Sequence, residues 1–168
     1  MNTTVNNLPL SQRKFDYFFI VIFSLFFITS MISDLWPTIL GDLDVHSTNV
    51  FVQMNYGYAK DCDPLFLTPP VWMRFVTGLS AFVYGPFYLV LVWAFIKGHN
   101  RIQVPAIMYG TAIAVITGVI VYGVEFFGEP QWRCQNPGKF LPLNTPYILI
   151  PILLIIRMRR EFPFTRKF

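Results

Sequence analysis

Four long apolar stretches limit the fold of this chain more than any other sequence feature. They lie at about residues 15–36, 71–96, 104–127 and 141–156. A helix needs about 20 mainly apolar residues to cross a bilayer, and the first three stretches reach that length. The fourth has 16 residues, about 24 Å of helix, which fits a thin bilayer such as that of the endoplasmic reticulum. Because only 13% of the residues are charged, about half the fraction usual in soluble domains, the sequence predicts an all-α membrane protein with four transmembrane helices in a compact bundle.

Basic residues at the ends of these stretches predict the topology, since short basic flanks stay in the cytosol. They lie before the first stretch, between the second and third, and after the fourth: Arg13, Lys14, Lys97, Arg101, Arg157, Arg159, Arg160, Arg166 and Lys167. Both termini are therefore predicted to be cytosolic. The expected organisation is a cytosolic segment 1–14, a transmembrane domain 15–156 with a lumenal loop 37–70, and a basic cytosolic tail 157–168 against anionic headgroups. No small-residue cleavage site follows the first stretch, which predicts a retained span rather than a cleaved leader.

An acid at the end of the first apolar stretch is the leading candidate for a functional residue. Asp34 lies just before Trp36-Pro37, where the helix is predicted to end. An ionisable group near the hydrocarbon boundary costs a few kcal/mol unless it is paired or solvated. A carboxylate is also disfavoured near the negative end of a helix dipole. Asp34 is therefore predicted to have a functional role.

A second acid, Glu125, is predicted at a similar depth near the end of the third stretch. Two carboxylates at one level could share a proton or bind a cationic ligand. Glu125 could equally be an ordinary boundary residue that reaches water. Arg74, near the start of the second stretch, could pair with either acid or extend its charge to the membrane surface.

Prolines inside the stretches and an aromatic loop segment indicate a cavity. Pro86, Pro146 and Pro151 lie within apolar stretches, where proline frees a carbonyl and bends the helix. Bent helices in a small bundle can enclose a ligand site, although the prolines could serve packing alone. Residues 49–58 are apolar and aromatic, which predicts either a lid over a cavity near Asp34 or interfacial packing.

The remaining chemistry of the sequence is sparse. Cys62 and Cys134 are both predicted on the lumenal side, where an oxidising compartment permits a disulfide between them; two free thiols are the alternative. No cluster of metal-ligand residues, phosphate-binding loop or nucleophile motif is present in the sequence. We therefore expect no metal, no cofactor, no catalytic residue and no binding of nucleic acid by the basic tail.

Short motifs from Tyr58 onward resemble those of a known family. They are Tyr58-Ala59-Lys60, Asp63-Pro64-Leu65, Pro69-Pro70-Val71-Trp72, Pro86-Phe87, Ala94-Phe95-Ile96-Lys97-Gly98, Pro105-Ala106-Ile107-Met108-Tyr109 and Pro146-Tyr147-Ile148-Leu149-Ile150-Pro151. These motifs are similar to those of the sigma-2 receptor (transmembrane protein 97) family, which has the EXPERA or emopamil-binding-protein-like fold. The resemblance covers nearly the whole chain and weakens over residues 1–20, 38–50 and 128–142.

The resemblance implies a membrane bundle with a cavity for sterols and cationic amphiphiles. It also implies a homodimer in the endoplasmic reticulum. By the same resemblance Asp34 would face the amine of a ligand, and Asp63 would brace the lumenal loop. Three tyrosines would line or close the cavity: Tyr58, Tyr109 and Tyr147.

The chain departs from the family pattern at Ser80, where the family carries a glutamate. The paired acids expected around the ligand amine are therefore incomplete, and Glu125 would have to supply an acid from another helix. A neutral sterol could instead form a hydrogen bond through its hydroxyl with Asp34 or Ser80. The histidine and two membrane glutamates of the family's sterol isomerase are not reproduced.

These observations predict an endoplasmic-reticulum protein that binds sterols or cationic amphiphiles in an intramembrane cavity. It would act in sterol and lipid homeostasis or trafficking rather than in catalysis. A sterol double-bond isomerase is one alternative. The other is a membrane adaptor in protein trafficking or quality control, whose partners would be further membrane proteins.

Overall fold

Four long helices, each long and apolar enough to cross a membrane, dominate the computed structural model, which describes residues 7–165. They are α1 (Asp16–Leu40), α4 (Val71–Lys97), α5 (Asn100–Phe127) and α6 (Pro137–Met158). Two shorter helices, α2 (Val50–Cys62) and α3 (Pro64–Leu67), lie in the connection between α1 and α4. The prediction of an all-α protein with four membrane-spanning helices is confirmed. Residues 1–6 of the predicted N-terminal segment, and Arg166 and Lys167 of the predicted tail, lie outside the described residues.

Helix α6 begins earlier than the sequence predicted. It starts at Pro137 rather than at residue 141 and has 22 residues, which is enough for a bilayer of ordinary thickness. The side chain of Asn136 caps its first turn by accepting a hydrogen bond from the Lys139 amide at 3.3 Å. The length of the fourth span therefore gives no reason to expect a thin membrane.

Helix α1 continues through Pro37, where the sequence predicted its end. It stops instead at Gly41, whose φ of 79° favours glycine. Proline has no N–H to donate to a carbonyl four or five residues earlier, and a π-helical turn at Ser30–Asp34 precedes it. Asn55 of α2 donates its side-chain amide to the Ile32 carbonyl, five residues before Pro37, at 2.8 Å. A buried side chain from another helix thus satisfies a carbonyl in the turn that proline interrupts.

The long helices pack mainly in two pairs, α1 with α4 and α5 with α6. The second pair approaches closely at Gly110. A Cβ atom there would lie 2.9 Å from Cγ1 of Ile155 and 3.0 Å from the Pro151 carbonyl oxygen. Pro151 lies inside α6 as predicted from the sequence, and the absence of a side chain at residue 110 lets α5 contact this part of the helix.

Two apolar clusters fill the interior. One is aromatic and occupies the half of the bundle near the chain ends; its largest buried members are Phe19, Phe23, Phe95, Tyr88 and Phe164. The other cluster lies in the half of the bundle away from the chain ends, where α2 and α3 pack against the start of α4 and the end of α5. It includes Val52, Leu65, Phe66, Met73 and Val121. The space between the two clusters contains the candidate site.

The two ends of the described chain lie together. Asn7 and Thr165 form an isolated antiparallel bridge, and the Leu8 amide donates to the Phe164 carbonyl at 2.9 Å. Arg157, the first residue of the predicted basic cytosolic tail, belongs to α6 and forms an ion pair with Asp16 of α1 at 2.8 Å. The first and last long helices are therefore joined at this end of the bundle.

Candidate functional site

A cavity of about 350 Å³ lies between the two apolar clusters, within the size range of small-molecule sites. All four long helices and α2 contribute to its wall. Most of the wall's surface is apolar, although twelve lining side chains carry a polar atom: Thr29, Ser33, Asp34, Asn55, Tyr58, Asp63, Thr77, Ser80, Tyr84, Thr117, Asn144 and Tyr147. A mainly apolar surface that also carries hydrogen-bonding groups is typical of a site for a small amphiphilic ligand.

Three π-helical turns surround the cavity. They lie at Ser30–Asp34 in α1, Ser80–Tyr84 in α4 and Ile116–Val121 in α5, and each contributes residues to the wall. The turns of α1 and α4 are joined by a hydrogen bond from the Ser30 hydroxyl to the Ser80 carbonyl at 2.9 Å. Such turns widen a helix locally and recur at functional sites. They displace backbone at three places around one space, and the sequence analysis did not predict them.

Asp34 and Ser80 are in direct contact at the cavity wall. The Ser80 hydroxyl donates a hydrogen bond of 2.6 Å to Oδ2 of Asp34. The other oxygen, Oδ1, accepts no hydrogen bond from the described residues. Ser80 is therefore a neutral donor to the aspartate, and the other carboxylate oxygen has no hydrogen-bond donor among the described residues.

A second polar group lies where α2 and α3 meet. Asp63 caps α3 by accepting from the Phe66 amide at 3.0 Å, and its Oδ2 accepts from the Tyr58 hydroxyl at 3.2 Å. Asn144 of α6 donates to the same hydroxyl at 2.7 Å. Asp63 is 4% exposed, and burial raises the pKa of its carboxyl above the usual value despite these hydrogen bonds. This network joins α6 to the connection between α1 and α4.

Glu125 lies beside Asp63 rather than in the cavity wall. Its side chain is 1% exposed, and neither carboxyl oxygen has a hydrogen-bond partner among the described residues. The two carboxyl groups are close enough to interact electrostatically. The sequence predicted Glu125 as a possible partner of Asp34, but Glu125 neighbours Asp63 instead and does not reach water. Asp34 contacts Ser80.

The three predicted cavity tyrosines have different surroundings. Tyr58 and Tyr147 line the cavity, and the Tyr147 hydroxyl lies 2.6 Å from the Thr29 hydroxyl. Tyr109 is outside the wall, because Tyr84 packs edge-on against it at 5.2 Å between ring centroids and lines the cavity in its place. The Tyr109 hydroxyl instead donates to Tyr88 at 3.4 Å.

The cavity opens between α2 and α6. Met54 of α2 and Leu143 of α6 line it and are 59% and 57% exposed. The segment predicted as a lid or as interfacial packing forms most of α2, whose first turn is capped by Asn49. This helix covers the cavity through Met54, Asn55 and Tyr58.

Two further sequence expectations concern residues near the cavity. No bond joins Cys62 and Cys134 in the structure, where burial raises the pKa of both thiols; the disulfide expected in an oxidising compartment stays a prediction. Arg74 pairs with neither Asp34 nor Glu125. Its guanidinium donates to the Thr38 carbonyl at 3.2 Å, at the exposed end of α1.

Sequence reasoning missed several polar wall residues, notably Asn55 and Asn144. Each lies three residues before a tyrosine that was predicted, Tyr58 and Tyr147 respectively. Residues three apart lie on the same face of a helix. This spacing was therefore the signal by which the two asparagines could have been found.

Comparison with known proteins places the chain in a family. A family profile described as EBP, EXPERA (EXPanded EBP superfamily), matches residues 50–158, which excludes Asp34 and includes Asp63, Ser80 and Glu125. The chain is similar to sigma intracellular receptor 2 of Xenopus tropicalis, with 32% identity over 104 residues, 57% of this chain and 60% of the relative.

It is also similar to the Homo sapiens protein of the same name, with 31% identity over 115 residues, 62% of this chain and 65% of the relative. The chain thus spans less than two thirds of the length of these relatives. Because the family profile covers more than half of the chain, and four helices are suited to cross a membrane, the chain is a multi-pass membrane protein that belongs to the EXPERA (expanded EBP) superfamily and is related to the sigma-2 receptor.

Proposed function

We propose that this protein binds sterols or cationic amphiphiles in the cavity and acts in lipid homeostasis or trafficking rather than in catalysis. The observation that carries the proposal is the Asp34–Ser80 hydrogen bond of 2.6 Å in the wall of a mainly apolar cavity. The similarity to proteins named as receptors supports the proposal.

The cavity wall supplies most of the binding energy in this proposal. Burial of apolar ligand surface stabilises a complex by about 25 cal/mol per Å², so a ligand that buries about 200 Å² of apolar surface gains about 5 kcal/mol before entropic costs. The polar group then selects among ligands of similar size. Met54 and Leu143 at the opening are apolar, which suits entry of a lipid-like molecule.

Asp34 accepts a hydrogen bond from the ligand in either case. With Oδ2 occupied by Ser80, Oδ1 can bind an ammonium group or the hydroxyl of a neutral sterol. A serine donor stabilises the ionised aspartate without adding a second negative charge, so the site carries at most one charge at this position. We therefore expect one ligand amine per site.

The experiment compares Asp34→Asn with Asp42→Asn, an exposed acid just beyond α1. Each purified variant is incubated with a photo-crosslinking sterol and increasing concentrations of a cationic amphiphile before irradiation, and the sterol labelling that remains measures displacement by the amine. Asp34→Asn should weaken displacement by the amine at least tenfold and weaken sterol labelling less, because an amide still accepts a hydrogen bond from a hydroxyl. Unchanged displacement of the sterol from Asp34→Asn would show that Asp34 is not the counter-ion.

A sterol isomerase is the second candidate function, and one observation favours it. Asp63 and Glu125 form a buried acid pair beside the cavity, and such a pair can hold a proton for transfer to a substrate. Expression of the chain in a yeast strain that lacks its sterol isomerase tests this function. If growth and sterol composition stay those of the empty strain, isomerase activity is rejected.

Residence in the endoplasmic reticulum and assembly as a homodimer are also proposed, by similarity to the sigma-2 receptor family. Fluorescence microscopy with an endoplasmic-reticulum marker tests the first. Light scattering of the detergent-solubilised protein tests the second. A monomer mass over a tenfold range of protein concentration would reject the dimer.

A further inference from the structure

A second pocket lies at the opposite end of the bundle, where the chain ends meet. It has a volume of about 490 Å³ and is bounded by the start of α1 and the end of α6. The charged side chains in its wall are Arg13, Lys14, Asp16, Arg157, Arg159 and Arg160. Five are basic and one is acidic, so the pocket has a strong positive charge.

The floor of this pocket is an ion-pair network with an unbalanced charge. Asp16 is 1% exposed and accepts hydrogen bonds from two guanidinium groups. Arg157 contacts its two oxygens at 2.8 and 3.0 Å, and Arg13 contacts Oδ2. One carboxylate cannot neutralise two arginines, so one positive charge remains in a region of low water access.

The two guanidinium groups have little freedom to move. They lie 4.9 and 5.1 Å from the centroid of the buried Phe164 ring. Arg13 also donates to the Phe95 carbonyl at 2.9 Å, and Arg157 donates to the Pro163 carbonyl at 2.8 Å. The floor is therefore a fixed positive surface, and it does not need a ligand to be ordered.

The rim of the pocket carries three more charges. Lys14, Arg159 and Arg160 are exposed, and no carboxylate within residues 7–165 forms an ion pair with them. Glu161 is exposed nearby but does not line the pocket. These three side chains are free to converge on an anion above the floor.

The opposite side of the rim is apolar. Phe15 and Ile156 line the pocket and are 57% and 52% exposed. They belong to the ends of the stretches that enter the membrane, so in a bilayer they lie at the boundary between headgroups and acyl chains. A molecule that fills this pocket thus contacts basic side chains on one side and apolar side chains on the other.

We propose that this pocket binds the headgroup phosphate of an anionic phospholipid. The phosphate would contact Arg159, Arg160 and Lys14, and the acyl chains would lie along Phe15 and Ile156. Guanidinium groups bind phosphate through paired hydrogen bonds, and basic pockets between membrane helices are suited to anionic headgroups. This site is separate from the cavity at Asp34 and does not depend on the function proposed for it.

The test measures binding of three probes to the full-length protein in phosphatidylcholine nanodiscs. The probes are dioctanoyl phosphatidylinositol 4-phosphate, dioctanoyl phosphatidylcholine and free inositol 1,4-bisphosphate. The variant is Arg159→Gln with Arg160→Gln. The matched control is Lys97→Gln with Arg101→Gln, two exposed basic residues at the same end of the bundle but outside the pocket.

The anionic lipid should bind the wild-type protein more tightly than the other two probes. At about 1 kcal/mol per basic residue near a membrane surface, the pocket variant should lose roughly 30-fold in affinity and the control less than threefold. Lys14→Gln, which leaves α6 unchanged, is the second variant and should lose about fivefold.

Three outcomes would overturn the proposal. Equal losses in the pocket variant and the control would indicate attraction by surface charge alone. Equal affinity for inositol bisphosphate and the lipid would indicate a soluble phosphate ligand rather than a lipid. Unchanged affinity in Lys14→Gln and in the double pocket variant would exclude the pocket. Thermal unfolding midpoints of all variants establish that the folded protein is compared in each case.

Discussion

Ser80 of α4 donates a hydrogen bond of 2.6 Å to Asp34 of α1, and the two residues lie in neighbouring π-helical turns. The contact links the two helices across the cavity wall. It also fixes the position of the aspartate without a second charged side chain, because a hydroxyl donates one hydrogen bond to a carboxylate oxygen.

Removal of the Ser80 hydroxyl should weaken amine binding. A hydrogen bond to a charged group contributes about 1.5–3 kcal/mol, so Ser80→Ala should lower the affinity for a cationic amphiphile by about tenfold or more. Thr117→Val removes another hydroxyl from the cavity wall and should change the affinity less than threefold. Competition binding on the purified variants measures both. A larger loss in Thr117→Val than in Ser80→Ala would contradict a specific role for Ser80.

Replacement of Asn55 should destabilise the fold. Asn55→Leu preserves the size of the side chain but leaves the Ile32 carbonyl without its donor, and an unsatisfied buried carbonyl costs about 1–3 kcal/mol. Gln53→Leu changes an exposed amide on the same helix and serves as the control. Thermal unfolding in detergent should show a clearly lower midpoint for Asn55→Leu alone. Equal midpoints would mean that backbone groups satisfy Ile32.

The buried and exposed ion pairs should differ in their effect on stability. Asp16→Asn leaves two guanidinium groups without a counter-charge in a buried place and should cost about 3–5 kcal/mol. Asp61→Asn breaks the pair with Lys139, in which both side chains are 58% exposed, and should cost less than about 1 kcal/mol. Chemical unfolding in mild detergent measures the two values. Similar costs would contradict the burial of the first pair.

Two glycines of α5 should respond in opposite ways to alanine. At Gly110 the new methyl group would lie 2.9 Å from Ile155, and such overpacking costs about 1–3 kcal/mol. At Gly123 no atom lies within 4 Å of the added Cβ, so the higher helix propensity of alanine should stabilise the protein by up to about 1 kcal/mol. Unfolding midpoints should move in opposite directions. A fall at both positions would contradict the close packing of α5 and α6 as the cause.

Asp63 should make the protein more stable at acid pH. Burial raises the pKa of its carboxyl in the folded state, so the folded protein retains a proton that the unfolded chain loses near pH 3.9. The resulting stability is fully present below that pH and is lost as the pH rises through the folded-state pKa.

Asp63→Asn should reduce this pH dependence, since asparagine also caps helices and has no proton to lose. The control is Asp44→Asn, an exposed acid in the same connection. Unfolding midpoints between pH 4 and pH 8 should fall with pH in the wild type and in Asp44→Asn. They should fall less in Asp63→Asn. Parallel curves for all three proteins would contradict the assignment to Asp63.

The four membrane helices could be predicted from the sequence because their cause is local. A span needs about 20 apolar residues, and that property is present in each segment alone. The ends were less predictable. A proline such as Pro37 ends or bends most helices, but here Asn55, from a different helix, donates a hydrogen bond to the interrupted turn. The residues around Pro37 do not reveal that Asn55 will donate this hydrogen bond, because Asn55 is distant in the sequence and reaches the turn only in the folded protein.

Several residues that line the cavity could be predicted from the sequence, but their detailed arrangement could not. Asp34, Ser80, Tyr58 and Tyr147 follow from an unpaired acid and from the family resemblance, and all four line the cavity. Tyr109 was predicted in the cavity wall but lies outside it. The rotation of a helix about its axis decides which side chains face a cavity, and each π-helical turn changes that rotation. The size of this change cannot be derived from the sequence.

The ion pair between Asp16 and Arg157 has a consequence for motion in the bundle. It joins α1 and α6 at the end remote from the cavity, while the cavity opens between α2 and α6 at the other end. Motions that open the cavity to a ligand should therefore separate the helices only slightly at Asp16 and much more near Leu143. Spin labels at the two ends of the bundle would measure this gradient directly.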